Sequence, residues 1–155
     1  MIEQIVECVP NFSEGRDKAV IDQITGEITG VAGITLLSCE MGADVNRTVV
    51  TFLGSPAAAA EAAFRAIKKA AELIDMRQHK GAHPRMGATD VCPFVPVSGV
   101  TMADCVAISK AVGKRVGETL GIPVYLYEAS ARKTAWQSLA NVRAGEYEAL
   151  PTRTA

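Results

Sequence analysis

Residues 79–94 constrain the fold of this chain more than any other stretch, because no single helix or strand can run through them. Gly81 and Gly87 permit backbone conformations that are closed to other residues. Pro84 fixes its own φ and keeps the residue before it out of the helical region. A long helical pattern ends at this stretch, and an apolar, strand-like pattern begins within it. We therefore predict a stiff connection from a helix to a strand.

Both histidines of the chain, His79 and His83, lie in this connection. Imidazole has an unperturbed pKa of about 6.5, which makes histidine the usual general acid or base near neutral pH. His83 precedes Pro84 and is predicted to have an extended, stiffened backbone. Such a backbone suits a reacting group that must be held still. His83 is therefore a candidate catalytic residue.

Two other interpretations of the histidine pair remain open. His79 falls where the helix should end, and an imidazolium there would cap the helix and interact favourably with its C-terminal dipole. A zinc site is suggested because the histidines are four residues apart, which on a helix would place both rings on one face. Gly81 and Pro84 argue against a helix at this point, and no third ligand is obvious nearby. We predict no metal site.

The rest of the chain alternates between strand and helix patterns. Strand patterns cover residues 2–9, 34–39, 47–53, 86–97 and 122–127, and helical patterns cover 16–29, 57–76, 101–120 and 132–142. Pro93 and Pro96 cannot donate to a ladder, so the fourth strand is predicted at a sheet edge or a bulge. The first six elements match the ferredoxin-like order. We expect one α/β (α+β) domain over residues 1–155, with a ferredoxin-like βαββαβ core, an added αβ unit, and a mixed sheet covered by helices.

Two polar positions beside the predicted strands are candidate binding residues. Asn11 opens a polar loop before the first helix, where free N–H groups of the helix N-terminus would bind an anion. An ordinary Asx or Ser turn that starts the helix is the alternative. Arg47 begins the third strand and could hold a substrate carboxylate in a bidentate contact. A salt bridge to Asp44 or Glu40 across the turn is the alternative for this arginine.

Charge and cysteine content limit the classes of partner and compartment. Sixteen Lys and Arg residues against 17 Asp and Glu residues, without a basic stripe, suggest neither nucleic acid nor an anionic membrane surface as a partner. No apolar run approaches the length of about 20 residues that spans a bilayer. The four cysteines are widely separated, and no signal-peptide pattern follows Met1. We therefore expect reduced thiols in a cytoplasmic protein.

The residues of the connection also form a long motif. They read His-Lys-Gly-Ala-His-Pro-Arg-Met-Gly-Ala over 79–88 and Asp-Val-Cys-Pro-Phe-Val-Pro-Val over 90–97. This sequence resembles the core motif of the glutamate formimidoyltransferases, or formiminotransferases, the folate-dependent enzymes of histidine breakdown. Further matching blocks lie in order at residues 6–15, 46–49, 123–127 and 143–148. The resemblance covers nearly the whole chain, and several long blocks are more specific than one short pattern.

The resemblance implies a reaction and roles for individual residues. The reaction is transfer of a formimino group from N-formimino-L-glutamate to N5 of tetrahydrofolate, which acts as a co-substrate. His83 matches the family's catalytic histidine and is expected to act as general acid and general base. Substrate binding, or the lining of the site, is expected of Asn11, Arg47, Arg85, His79 and Asp90.

The chain departs from the family pattern in two ways. Ala82 stands where many members have a glutamate, so any carboxylate that orients His83 must come from elsewhere. The family's transferase unit also has a second half of comparable size, with folate held between the halves, and this chain resembles the N-terminal half alone. We therefore expect a homo-oligomer or a separate second-half chain as partner. A non-catalytic module that binds folate or a glutamate-like ligand is one alternative, and a structural or metal-binding role is another.

Overall fold

The computed structural model describes residues 3–76, 87–122 and 124. Within this part of the chain there are six strands and three helices. The strands are β1 (Ile5–Cys8), β2 (Asn11–Phe12), β3 (Thr35–Gly42), β4 (Arg47–Gly54), β5 (Thr89–Val91) and β6 (Phe94–Ser98). The helices are α1 (Lys18–Thr29), α2 (Pro56–Leu73) and α3 (Met102–Leu120). No helix among these residues is long and apolar enough to cross a membrane.

All strands join one sheet in which every pairing between described strands is antiparallel. Strands β1 and β2 are two pieces of one interrupted inner strand, and β5 and β6 are two pieces of one interrupted edge strand. The β1/β2 strand pairs with β4 on one side and with β5/β6 on the other, while β3 pairs with the far side of β4. The order across the sheet is therefore β5/β6, β1/β2, β4, β3.

This order confirms the predicted α/β class and the ferredoxin-like βαββαβ core. The described sheet is antiparallel, whereas a mixed sheet was predicted. The two strands that each of α1 and α2 connects are not neighbours in the sheet, so no parallel pair forms among the described strands. Of the added αβ unit, α3 is present as predicted. The strand predicted at 122–127 falls almost entirely outside the described residues, and the helix predicted at 132–142 falls wholly outside them.

The core lies between the sheet and the three helices. Helix α2 packs on β1 and β4, with α1 on its β3 side and α3 on its β6 side. Alternate residues of β4 are buried, which is the period of a strand with one face against the helices. The buried helix positions are Ile21, Ile24 and Ile28 in α1, six residues of α2 that are mainly alanine, and Cys105, Val112 and Val116 in α3. Small alanine side chains let α2 approach the sheet closely.

Local sequence explains most helix ends. In α3, Thr101 and Asp104 form a reciprocal capping box, and Gly121 ends the helix with a positive φ of 69°. Helix α2 ends at Leu73, not at about residue 76 as predicted. Ile74 has extended dihedral angles and packs against the core, and Met76 is buried. Burial of these two side chains from an extended chain therefore overrides their helical spacing.

The fourth predicted strand is also modified. It is divided into β5 and β6 by Cys92 and Pro93, and it forms the edge of the sheet that its prolines predict. A register shift in the pairing of β1 with β6 accompanies this edge position. The broken edge strand begins just after residues 77–86, which are not described and which carry both histidines.

We expect Phe52→Ala to lower the free energy of unfolding by about 3–5 kcal/mol, because it removes a large, fully buried ring from the middle of the sheet. Urea denaturation followed by circular dichroism measures this loss. Leu37→Ala is the matched control, since Leu37 is 54% exposed and its truncation should change stability by less than about 0.5 kcal/mol. Equal losses in the two variants would contradict the assigned core.

Candidate functional site

The predicted site residues divide between the described and undescribed parts of the chain. His79, His83 and Arg85 lie outside the described residues. Asn11 is in β2, Arg47 is the first residue of β4, and Asp90 is in β5. Strand β2 lies between β4 and β5, with Asn11 opposite Val49 on one side and Val91 on the other. The fold therefore brings these three candidates to the same end of the sheet.

A loop that follows β2 is fixed to the turn that precedes Arg47. This loop, residues 13–16, forms two hydrogen bonds with the turn and a third with Thr48 in β4. The Gly15 N–H donates to Asn46 Oδ1 at 2.8 Å, and Arg16 Nε donates to the carbonyl oxygen of Ala43 at 2.8 Å. The hydroxyl of Thr48, which is fully buried, donates to the carbonyl oxygen of Glu14. These bonds fix the position of the turn from which β4 and Arg47 begin.

Gly15 allows this contact because it has no side chain. A Cβ atom at Gly15 would lie 2.3 Å from the carbonyl oxygen of Gly42 and 2.5 Å from the backbone nitrogen of Arg47. Asn46, on the other side of the contact, is buried and has a positive φ of 52°, a conformation that asparagine tolerates better than most residues. The close main-chain approach therefore favours glycine at position 15, and the positive φ favours asparagine at position 46.

The same loop is bonded on its other side to the residues that follow residues 79–86, the part of the connection that carries both histidines and that we call the histidine connection. The Ser13 N–H donates to the carbonyl oxygen of Ala88 at 2.8 Å. The Ser13 hydroxyl donates to the carbonyl oxygen of Gly87 at 2.7 Å, and Ser13 is 3% exposed. The loop thus lies between the start of β4 and the end of the connection.

Acidic side chains of the chain itself lie at the N-terminus of α1, where the sequence suggested an anion site. Asp17 caps the helix by accepting a hydrogen bond from the Ala19 N–H. One carboxylate oxygen of Glu14 accepts from the N–H groups of Arg16 and Asp17, at 2.9 and 3.1 Å. Carboxylates of the chain itself therefore occupy the N–H groups of Arg16, Asp17 and Ala19 and bring negative charge to this helix end. The sequence alone did not show that two acidic residues would fold back onto this end.

Asn11 has a local structural contact. It is 9% exposed, and its side-chain nitrogen donates to the carbonyl oxygen of Val9 at 3.1 Å. The predicted polar loop is also shorter than expected, because Asn11 and Phe12 form strand β2 and Phe12 is fully buried. The helix itself is started by Asp17, so neither Asn11 nor Ser13 forms the turn that was the alternative at this position.

Arg47 and Asp90 are both half-buried at the end of the sheet. Arg47 alternates along β4 with Thr48, Val50 and Phe52, whose side chains are buried on the helical face. The Arg47 side chain therefore projects from the opposite face of the sheet. Among the described residues, no ion pair joins Arg47 to Glu40 or Asp44.

Two cysteines lie where the central strand and the edge strand are both interrupted. The sulfur atoms of Cys8 and Cys92 are 3.6 Å apart, and all four cysteines of the chain are free thiols. Burial raises the pKa of Cys8 well above its ordinary value, and the hydrogen bond with Cys92 raises this pKa further. Cys8 therefore stays protonated and unreactive near neutral pH.

Sequence reasoning missed the residues that hold the loop, namely Ser13, Gly15, Asn46 and Thr48. One available signal was Thr48, which alternates with the buried Val50 and Phe52, since a polar residue on an inward face needs a hydrogen-bond partner. The identity of that partner depends on a contact between distant segments, which periodicity does not give. No group of three or more metal-ligating side chains occurs among the described residues, and the two histidines lie outside them.

Comparison with known proteins gives a consistent set of relatives. Residues 5–155 match the family described as formiminotransferase domain, N-terminal subdomain. The formimidoyltransferase-cyclodeaminase of Rattus norvegicus is 53% identical over 152 residues, which is 98% of this chain and 28% of that protein. The glutamate formimidoyltransferase of Streptococcus pyogenes serotype M1 is 50% identical over 150 residues, 97% of this chain and 50% of that protein. The chain thus spans half the length of the second relative and less of the first.

We expect Gly15→Ala to destabilise the protein by about 1–3 kcal/mol, because its methyl group would overlap main-chain atoms of the turn before Arg47. Gly26→Ala is the matched control. Gly26 lies inside α1 with nothing within 4 Å of the added Cβ, so this change should stabilise the protein by about 0.5–1 kcal/mol. Urea denaturation measures both effects, and a neutral Gly15→Ala would contradict the close contact.

We expect iodoacetamide at pH 8 to modify Cys39 first and Cys8 last. Only the thiolate reacts, and the raised pKa of Cys8 keeps its thiolate scarce at this pH, while its burial blocks access. Burial also raises the pKa of Cys39, but that side chain is exposed. Peptide mapping by mass spectrometry gives the order, and the difference should disappear in denaturant. Equal native rates for Cys8 and Cys39 would contradict the predicted environment of Cys8.

Proposed function

Because the chain belongs to the formiminotransferase family, as an N-terminal subdomain, we propose that it supplies half of a transferase active site. The proposed reaction moves a formimino group from N-formimino-L-glutamate to tetrahydrofolate, with His83 as general acid and base. The rest of the site comes from a separate second-half chain or from a second copy. The relatives' greater length supports a site larger than this subdomain, since they are about twice as long as this chain or longer.

The observation that carries the proposal is the position at which the histidine connection enters the sheet. Gly87 and Ala88 are bonded to the loop that is also fixed to the turn before Arg47. His83 is four residues before Gly87 in the sequence. This short separation supports the proposal that His83 acts at the end of the sheet that carries Asn11, Arg47 and Asp90.

Proton transfer in this reaction suits one imidazole. A bond forms between N5 of tetrahydrofolate and the formimino carbon, and the bond from that carbon to the glutamate nitrogen breaks. N5 loses a proton and the glutamate nitrogen gains one. His83 accepts the first proton as a base and returns it as an acid, so it ends the reaction in its starting state. A general acid or base of this kind contributes about 10²–10⁴-fold to a rate.

The anionic substrates need cations, and Arg47 is the described candidate. It projects from the sheet face opposite the helices, where a guanidinium can form two parallel hydrogen bonds with a carboxylate. Arg85 has the same proposed role, and His79 and Asp90 are proposed to line the site or orient its groups. Asn11 contributes from within β2, where its contact with Val9 limits its side chain to one orientation.

A second half also has a surface to cover. Leu37 in β3 and Val95 and Val97 in β6 are exposed apolar side chains at 54%, 40% and 52%, on the two outer lines of the sheet. Exposed apolar side chains are compatible with association. We therefore propose that the working protein is a homo-oligomer or a complex with a second-half chain.

We expect formimino transfer to appear when the chain is mixed with a second-half protein, and His83→Ala to lower kcat by at least about 10²-fold. Binding of tetrahydrofolate, measured by anaerobic calorimetry, should be little changed, because the imidazole acts in proton transfer. Lys114→Ala, an exposed change on α3, is the control for handling and folding. The production of 5-formiminotetrahydrofolate is followed directly.

The outcomes distinguish the candidate functions. Transfer that depends on His83 supports the transferase. Binding of tetrahydrofolate or N-formimino-L-glutamate without transfer, with or without a second half, identifies a binding module instead. Full activity of His83→Ala would overturn the assignment of the catalytic residue while leaving the transferase function in place.

A further inference from the structure

Ser13 forms two hydrogen bonds to the residues that directly follow the histidine connection. Its hydroxyl and its N–H donate to two consecutive carbonyl oxygens, those of Gly87 and Ala88, at 2.7 and 2.8 Å. Two bonds to neighbouring carbonyls fix both the position and the rotation of the peptide between them. Ser13 is 74 residues away from Gly87 in the sequence, so this is a tertiary contact and not a local turn.

The contact of Ser13 with Gly87 and Ala88 can hold these two residues in place relative to the loop. Ser13 is 3% exposed, so water does not readily replace the bond that its hydroxyl makes, and a buried carbonyl that loses its donor is costly. Among the described residues, an added Cβ at Gly87 would meet the Thr89 carbonyl oxygen at an ordinary 3.7 Å, so close packing of the described residues does not fix this geometry. The two hydrogen bonds from Ser13 do restrain the peptide between Gly87 and Ala88.

The loop that carries Ser13 is also held by other contacts. Its next residues are bonded to Asn46 in the turn before Arg47 and to Thr48 in β4, and Gly15 is in close main-chain contact with that turn and with Arg47. A displacement of Gly87 relative to Ser13 is therefore also a displacement relative to Arg47. Catalytic rates are sensitive to such displacements, and a misplacement of about 1 Å can reduce a rate by about 10²-fold.

We propose that Ser13 is a positioning residue that sets the distance between the histidine connection and the Arg47 end of the sheet. The proposal rests on the proposed function for its catalytic consequence, but its structural part does not. Ser13 acts through the carbonyl of Gly87 and not by contact with substrate. Loss of its hydroxyl leaves charge and ionisable groups unchanged and alters only how the connection is held.

The experiment uses the two histidines as probes, because a chain with only two imidazoles gives two resolvable Hε1 resonances. His79→Gln and His83→Gln assign them, and each is titrated from acid to neutral pH in the chain alone. We expect Ser13→Ala to move the chemical shift and the titration midpoint of His83. Ser13→Cys, which is similar in shape but slightly larger and has a weak S–H donor, should give a smaller change in the same direction.

Thr101→Ala is the control for general loss of stability. It removes the side chain that caps the N-terminus of α3. This cap lies after β6 in the chain and does not contact Gly87, so the bonds from Ser13 stay intact. Thr101→Ala should leave both histidine resonances where they are. In the complemented transfer assay, Ser13→Ala should lower kcat by about 10-fold or more, with KM changed less than about twofold.

Each result has a distinct meaning. Histidine resonances and kcat that are unchanged in folded Ser13→Ala would overturn the positioning role and leave the transferase function standing. A moved His83 resonance without transfer activity in any variant, wild type included, would support the structural role of Ser13 and overturn the proposed function. Equal movement of the resonances in Thr101→Ala would show a general effect of instability and would overturn the proposal. If Ser13→Ala does not fold, the same comparison is decided by Ser13→Cys.

Discussion

The structure depends on an interruption of its central strand at Val9 and Pro10. The sheet stays hydrogen-bonded across this point, because the Val9 N–H donates to the Pro93 carbonyl and the Val50 N–H donates to the Pro10 carbonyl. Pro10 has no N–H of its own to place, so the strand can turn here without leaving a donor unsatisfied. The edge strand is interrupted at the same level, at Cys92 and Pro93. Both strands resume beyond the interruption, and the loop that follows β2 is thereby directed to the turn before Arg47.

The loop beyond the interruption, residues 13–16, is held by buried polar groups, which need hydrogen-bond partners because little water reaches them. Ser13, Asn46 and Thr48 are all buried, and each makes a hydrogen bond to main-chain atoms of a distant segment. Such bonds add modest net stability, but leaving one of these groups unpaired is costly, so the network favours one arrangement over its alternatives. A rigid frame of this kind is what an acid–base reaction requires of the groups around it.

Much of the architecture was predictable because its causes are local. The spacing of apolar residues predicted the order of the strands and helices and the extent of α3, and the prolines predicted the edge position of the fourth strand. The errors occurred where a distant contact decides. A strand of two residues has no detectable period, so β2 was taken as loop. The partners of Ser13 and Thr48 lie 74 and 34 residues away, beyond what spacing can show.

The residues at the candidate site fall into two physical kinds. Ser13, Gly15, Asn46 and Thr48 are small or uncharged, and their partners are mostly main-chain atoms, so a substitution among them changes the shape of the site and leaves its charge as it is. Arg47 is charged and projects from the sheet face opposite the helices, so its substitution changes the charge of the site. Motif comparison favours the second kind, because charged residues suggest chemistry directly. The first kind becomes visible only once the fold shows which backbone atoms meet, and in this chain those atoms lie on both sides of one four-residue loop, residues 13–16.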